Sequence, residues 1–512
     1  MLAVELARRG ARRHGGRTAM VVGDREFSFA AIDERANRIA NVLASNGLGR
    51  GDRVGLLVNN GEWSIPLEIG CLKAGVARVP LNARLSASEH ARMIGDTGVR
   101  MVIHGADLTE RAQELGACVD GLRLAGIGAR ERAVDLDLIE ATERAGALDP
   151  NIPVSPDDVV IVIFTSGTTG SLKAAQHTQR SWGAVTANIL ANVISPGRDS
   201  AMLHAASLIH ASGTFVLSYW SRGARSVVLP GFEPQQYVET LDRHRVTEIN
   251  LVPTMIGMLL SSGVVDDPAR ATSLDSIVYG ASPMPRPVLE RGLSRFGPRF
   301  VQYFGQTEAP LCIAVLDKTD HTDPALLGAA GQPAVDAEVM ITNDTGAAVA
   351  PGEVGEVRVR SAFTMVGYFN EPELTAQTLT PDGWIRTRDL GRMDERGYLY
   401  LVDRASDMIV SGGYNVYPRE VEDALCAHPS VAECAVVGAP DDLWVEAVTA
   451  FVALRPGASA TEDELRVWVR ERLAGYKVPK RVGIVESIPK SAVGKILRRA
   501  LREPLWASER PR

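Results

Sequence analysis

VVIVIFTSGTTGSLK, residues 159–173, is the stretch that decides how the rest of the chain is read. Its first six residues, Val159–Phe164, are apolar and mostly branched, which predicts a strand buried on both faces. The character then changes abruptly. TSGTTG, residues 165–170, carries four hydroxyls and two glycines, and Lys173 follows three positions later. Glycines let backbone N–H groups converge on an anion, hydroxyls donate further hydrogen bonds, and a lysine adds a mobile cation. A buried strand feeding such a loop predicts a phosphate site at a sheet edge. It is not the common Walker arrangement, because no Ser or Thr follows Lys173.

Working outward, the same rhythm of short apolar run and helical pattern precedes this stretch. Arg53–Val58 reads as a strand, Trp63–Ala74 as a helix, Arg78–Leu81 as a strand, Ser86–Ile94 as a helix and Met101–His104 as a strand. Strands continue at Ser226–Leu229, Glu248–Val252 and Ser276–Tyr279. Strands alternating with helices predict an α/β fold with parallel, helix-covered sheets. From about Gly331 the segments Glu338–Thr342, Gly355–Arg360 and Tyr398–Val402 alternate apolar with polar and are split by Gly, Asn, Asp and Pro, as in a small antiparallel barrel or sheet. After Asp403 the texture changes again. Pro418 sits at a first helical position, Ala432–Val437 and Val448–Leu454 read as strands, and Thr461 with Glu464 forms a capping box. The expected organisation is a large unit, 1–403, whose residues 331–403 form a β-rich subdomain, and a small mobile α/β unit, 404–512.

Net charge of -7 argues against a nucleic-acid partner, which requires a basic surface. The five cysteines, Cys71, Cys118, Cys312, Cys426 and Cys434, show no CxxC pair and no zinc spacing, which fits a reducing cytoplasm. No run of about 18 apolar residues appears, so no membrane span is expected. The Arg-rich N-terminus, with its charges after a very short apolar start, is ordered wrongly for a secretion signal. It reads as a plain surface helix; the lesser alternative is a weakly amphipathic segment that touches a membrane surface.

Further segments fall in a fixed order: Tyr279-Gly-Ala-Ser-Pro283, Tyr303-Phe-Gly-Gln-Thr-Glu308, Gly383-Trp-Ile-Arg-Thr-Arg-Asp-Leu390, Asp403-Arg-Ala-Ser-Asp-Met-Ile409, Ser411-Gly-Gly-Tyr-Asn-Val-Tyr-Pro418 and Pro489-Lys-Ser-Ala-Val-Gly-Lys495. With TSGTTGSLK they resemble, in register, the motifs of the adenylate-forming superfamily, which includes acyl-CoA synthetases, peptide-synthetase adenylation domains and beetle luciferases. Fatty-acid and aryl-acid–CoA ligases are the nearest in pattern, and the resemblance covers roughly Phe27 to Leu501.

That resemblance implies ATP, Mg²⁺ and coenzyme A, and a role for each matched residue. Thr165, Ser166, Gly167, Thr168, Thr169, Gly170 and Lys173 hold the β- and γ-phosphates. Gly280, Ala281, Ser282, Tyr303 and Phe304 line the adenine slot. Thr307 contacts the α-phosphate and Glu308 helps to hold Mg²⁺. Asp389, helped by Arg404, accepts from the ribose hydroxyls. Lys495 reaches the attacking carboxylate, and His210 gates the acyl pocket and thiol path. Attack of one anion on another needs fixed cations, and a hard carboxylate suits Mg²⁺. His177 is given no catalytic role, because the motif's histidine falls where this chain has Gln179.

The chain departs from the pattern at Leu172 and Ala174, at Arg388 and Val445 where glycines are usual, and at the hinge position, Ser406. The expected reaction joins a small-molecule carboxylic acid to coenzyme A through an acyl-adenylate, in a monomer or homodimer. The alternatives are another acceptor (a carrier-protein thiol or an amine) and an unusual acid such as nitrite for diazotisation. A catalytically dead scaffold is disfavoured by Lys173, Glu308, Asp389 and Lys495. Ala309, Pro310 and Leu311 suggest an apolar wall to the acid pocket.

Overall fold

The protein is seen in a computed structural model that describes residues 1–128, 134–166, 172–404, 407–411, 414–441, 444–490 and 496–507. Four sheets organise these residues. In the eight-stranded sheet the order runs Gly367–Tyr368, Leu172–Thr178, Val159–Ser166, Ala77–Pro80, Arg53–Leu57, Met101–Gly105, Arg123–Ile127, Leu136–Asp137. The nine-stranded sheet runs Gln332–Pro333, Ala309–Leu316, Phe300–Gln306, Ser276–Gly280, Glu248–Leu251, Ala201–His204, Arg225–Val228, Thr18–Val22, Arg25–Ser28. The nine-stranded sheet is parallel in its middle and antiparallel at both ends, whereas the eight-stranded sheet is antiparallel only at its Gly367–Tyr368 end. One shared core holds Ile161, Ala175 and Tyr368 from the first sheet against Tyr303, Ala309 and Leu311 from the second. The site therefore forms where the two sheets meet.

The β-rich region is a four-stranded antiparallel sheet of Glu338–Thr342, Gly355–Arg360, Ile385–Met393 and Leu399–Arg404. Alternate residues of Gly355–Arg360 are buried, the pattern that the sequence showed. Downstream, a five-stranded sheet contains Ile409–Ser411, Tyr414–Val416, Val431–Asp441 and Val445–Leu454, with Arg481–Val485 added in parallel. Its helix Pro418–Cys426 starts on proline, and Thr461 caps Glu462–Arg470 through the box with Glu464.

The N-terminal helix corrects one expectation. Ala3–His14 buries Val4, Leu6, Ala7 and Gly10, and the Trp220 indole donates to the Ala7 carbonyl at 2.7 Å. A Cβ on Gly10 would sit 2.2 Å from the Trp220 ring, so the contact requires glycine. Arg8 pairs with Asp149 at 3.0 Å. The apolar face is packed inside the protein and is not free to lie on a membrane. Among the described residues no helix is long and apolar enough to cross a membrane.

Candidate active site

The Val159–Ser166 strand returns antiparallel as Leu172–Thr178, with Thr165 opposite Lys173 and Ser166 opposite Leu172. Gly167, Thr168, Thr169 and Gly170 lie outside the described residues, but the ladder sets both flanks of their loop side by side. Lys173 is buried, and its ammonium lies 5.9 Å from the centre of the Tyr368 ring. Tyr368 is fixed by backbone pairing with Ala175, next along the same hairpin. Its hydroxyl donates to Glu308 Oε1 at 2.5 Å. Burial and the Glu308 charge push the Tyr368 pKa well up, while Arg388 opposes the rise. The phenol thus stays protonated and remains a donor to the carboxylate.

Glu308 sits in the turn between Phe300–Gln306 and Ala309–Leu316. That turn is held by Met365, just before the Gly367–Tyr368 strand, and by His177 on the Leu172–Thr178 strand. The Glu308 carbonyl accepts from Met365 N at 2.8 Å, and the Thr307 carbonyl lies 2.8 Å from His177 Nε2. A carbonyl can only accept, so Nε2 carries the hydrogen. Burial drives the His177 pKa down to about 4, and its Nδ1 has no partner among the described residues. His177 is a neutral strut that positions Thr307.

Gly280 pairs with Tyr303 across neighbouring parallel strands. A Cβ on Gly280 would lie 2.4 Å from the Tyr303 carbonyl oxygen and 2.7 Å from its ring, so no larger residue fits. Ala281 follows with φ 69°, which turns the chain sharply, and Ser282 is half-buried beyond it. Tyr303 is buried and its hydroxyl accepts from Asn250 Nδ2 at 3.4 Å, while Phe304 is half-buried. Tyr279 donates to His321 Nε2 at 2.9 Å, since His321 Nδ1 must donate to the Asp317 carbonyl. Arg419, from beyond the four-stranded sheet, lies close enough to pull the Tyr279 pKa down against the larger effect of burial.

Asp389 is buried on Ile385–Met393, opposite Arg404 in the antiparallel ladder. Its N–H donates to Thr387 Oγ1 at 3.1 Å. The Arg404 side chain and Lys495 lie outside the described residues, as does Ser406. Arg388, immediately before Asp389, has φ 61°. This is a left-handed backbone that favours glycine, yet the chain holds a large cation there.

Among the described residues no hydrogen bond or ion pair joins His210 to Glu308 or Tyr368. Burial first, then Arg78 and His90, hold its pKa down to about 4, and its Nε2 is sealed from solvent with no partner among the described residues. Arg78 itself is in a buried ion pair with Glu68 at 2.8 Å and lies 5.3 Å over the Trp182 ring. Ala309, Pro310 and Leu311 are all buried. Leu311 has φ 62°, and its backbone nitrogen comes within 2.6 Å of where a Gly305 Cβ would sit, so two chain segments cross tightly at this wall.

Among the described residues no three His, Cys, Asp or Glu side chains cluster to cage a metal. Mg²⁺ binds through one or two carboxylates plus substrate phosphates and water, and Glu308 is a carboxylate that could serve it. Tyr368 engages Oε1 of Glu308, which leaves Oε2 as the oxygen to offer a cation. Tyr368 was not foreseen in the sequence, where it lies 60 residues from Glu308.

Fold and sequence together define an adenylate-forming ligase. The chain belongs to the AMP-binding enzyme family: residues 7–369 match that family and residues 420–495 match the AMP-binding enzyme C-terminal domain. It is 35% identical to a medium/long-chain-fatty-acid–CoA ligase, FadD8, of Mycobacterium tuberculosis, over 97% of this chain and 88% of that one. It is also 35% identical to a feruloyl-CoA synthase of an Amycolatopsis species, over 96% and 97% of the two chains. Among solved structures, the amide bond synthetase McbA of Marinactinospora thermotolerans superposes with a TM-score of 0.89 at 30% identity, covering 98% of this chain and 99% of that one.

Proposed function

We propose that this protein uses ATP to convert a small-molecule carboxylic acid to its acyl-adenylate and then transfers the acyl group to coenzyme A. The observation that carries this reading is the meeting of Lys173, Tyr368 and Glu308 across two sheets. In the first step a carboxylate oxygen of the acid bonds to the α-phosphorus and pyrophosphate leaves. Lys173 and the Thr165–Gly170 loop hold the departing phosphates, and Thr307 orients the α-phosphate. Glu308 would hold Mg²⁺, which supplies charge neutralisation between the phosphates. Gly280, Ala281, Ser282, Tyr303 and Phe304 receive adenine, and Asp389 with Arg404 receives ribose. Lys495 neutralises the approaching carboxylate. In the second step a thiolate bonds to the acyl carbon and AMP leaves, with His210 beside the path.

The large unit is taken as 1–403 and the small one as 404–512, turning about Ser406. Support for a charged hinge comes from its surroundings. Arg419 N donates to Asp403 at 3.0 Å, and Arg498 bridges Asp407 at 3.3 Å and Glu422 at 2.6 Å. The Arg498 pairs lie within the small unit and travel with it, whereas the Arg419–Asp403 hydrogen bond joins the two units and would be exchanged on rotation.

Coenzyme A as acceptor is favoured by FadD8 and the feruloyl-CoA synthase, whose names specify that thioester. An amine acceptor is the second reading, favoured by the likeness to an amide bond synthetase over nearly the whole chain. A panel of aliphatic and aryl acids, assayed for pyrophosphate release with coenzyme A, with an amine and with neither, decides between them. The expected result is thioester formation and sustained turnover only with coenzyme A. Amide product without consumption of coenzyme A would overturn the acceptor assignment.

A further inference from the structure

A second cavity lies away from the site above. It has a volume of about 760 Å³ and is lined by Gly16, Arg17, Thr18, Arg198, Asp199, Arg225, Arg245, Thr247 and Ser273. These residues come from one edge of the nine-stranded sheet. Thr18 and Arg225 begin their strands, Arg198 and Asp199 precede Ala201–His204, Arg245 and Thr247 precede Glu248–Leu251, and Ser273 precedes Ser276–Gly280. Gly280 and Tyr303 lie at the opposite, C-terminal ends of the parallel strands. Strands of four and five residues separate the two edges, about 13–17 Å at the usual rise. The cavity is therefore distinct from the catalytic edge.

Its charge is unusual for a protein of net charge -7. Four guanidinium groups from separate segments face a single carboxylate, Asp199, which Arg17 already engages at 3.1 Å. Arg225 spends one nitrogen on the His244 carbonyl at 2.6 Å, while its buried Nε has no partner among the described residues. The exposed guanidiniums of Arg198 and Arg245 make no hydrogen bond or ion pair among those residues. The hydroxyls are committed elsewhere: Thr18 donates to Glu26 at 2.8 Å and Ser273 to the Val246 carbonyl at 2.7 Å. Recognition in this cavity thus falls on the arginines.

Arg245 adds an independent sign. It follows the helix Pro234–Arg243 and its cap His244, and has φ 47°. That position normally takes glycine, because a Cβ is strained there. Here that position carries a guanidinium that lines the cavity.

We propose that this cavity is a second anion site, one that takes a small soluble ligand bearing two adjacent phosphate groups. Guanidinium forks match phosphate oxygens two at a time, and with Arg17 and Arg225 partly committed the two exposed forks of Arg198 and Arg245 match one phosphate group each. The volume is within the range of sites for nucleotide-sized ligands. The ligand is a free diphosphate or a nucleoside diphosphate, two sources with one chemistry.

The test uses calorimetric titration of the full chain carrying Lys173→Gln, which weakens the catalytic phosphate site, with and without Arg198→Ala and Arg245→Ala. Both arginines are exposed, and alanine keeps the Cβ at 245, so the backbone strain is unchanged. One equivalent of pyrophosphate should bind to the Lys173→Gln protein, at least about 10-fold more weakly once both arginines are removed. Tighter binding of ADP than of pyrophosphate assigns the nucleotide as the source; equal or weaker binding of ADP assigns the diphosphate alone. Should Lys173→Gln fail to fold, the parent enzyme is titrated instead, and the double arginine variant should lose one of two pyrophosphate equivalents. The proposal is overturned if the arginine substitutions leave pyrophosphate affinity unchanged, if orthophosphate binds as tightly as pyrophosphate, or if no pyrophosphate binds up to about 5 mM.

Discussion

Arg388 and Val445 occupy positions where the resembling motifs carry glycine, and both keep a left-handed backbone, with φ 61° and φ 68°. Their surroundings differ. Arg388 is half-buried, next to Asp389, and its charge is felt at the Tyr368 hydroxyl that holds Glu308. Val445 is 69% exposed at the start of its strand in the five-stranded sheet, opposite Ser411 and Asp441. A β-branched residue in this conformation is strained, and nothing in the structure explains its presence there. The same local strain thus has a chemical counterpart at 388 and none at 445. The difference teaches that a lost glycine is informative only when its new side chain reaches something.

Four substitutions sharpen or break this contrast. The largest effect is expected for Lys495→Ala, on the small unit that also carries Val445. Adenylation, read as pyrophosphate release, should fall by about 10²-fold or more, the scale for losing a preorganised charge. Thioester formation from pre-made acyl-adenylate should change far less, and equal losses in both half-reactions would remove Lys495 from the first step.

Next comes Tyr368→Phe. It deletes the donor to Glu308 while keeping the ring beside Lys173. A hydrogen bond to a charged group contributes about 1.5–3 kcal/mol, so adenylation should drop by about 10-fold or more. A parental rate would mean that the Glu308–Tyr368 bond does not bear on catalysis.

Arg388→Gly and Val445→Gly are the paired and smallest tests. Each relieves a left-handed non-glycine residue, offset in part by the greater freedom of glycine when unfolded, for a net stabilisation of about 1 kcal/mol. Thermal unfolding should rise slightly in both. Arg388→Gly should also change pyrophosphate release several-fold, whereas Val445→Gly should leave it at the parental rate. If both variants are kinetically silent, Arg388 has no more role than Val445.

Much of this was legible in the sequence, for physical reasons. VVIVIF announced a strand because a short run of branched side chains, ended by a Gly/Thr/Ser loop, favours a buried strand. Pro418 and the Thr461–Glu464 box announced helix starts because capping is local. What stayed hidden is long-range. Glu308 and Tyr368 share a hydrogen bond across 60 residues, and Cys426 and Cys434 bring their sulfurs to 3.4 Å only because Pro418–Cys426 packs on Val431–Asp441. The division of the early strands between two sheets is equally invisible to periodicity, which reports burial but not partner. Packing of the N-terminal helix was misread for a related reason: its many arginines mask the Ala, Val and Leu face that lies against Trp220.

The most direct test of the account is Glu308→Gln, measured as acid-dependent pyrophosphate release at saturating ATP across a magnesium titration. Glutamine keeps the shape and the acceptor for Tyr368 but removes the anion. The account predicts a fall of about 10²-fold, with the half-maximal magnesium concentration moved upward. A variant that releases pyrophosphate at the parental rate with an unchanged magnesium requirement would contradict the placing of the metal and phosphates at Glu308.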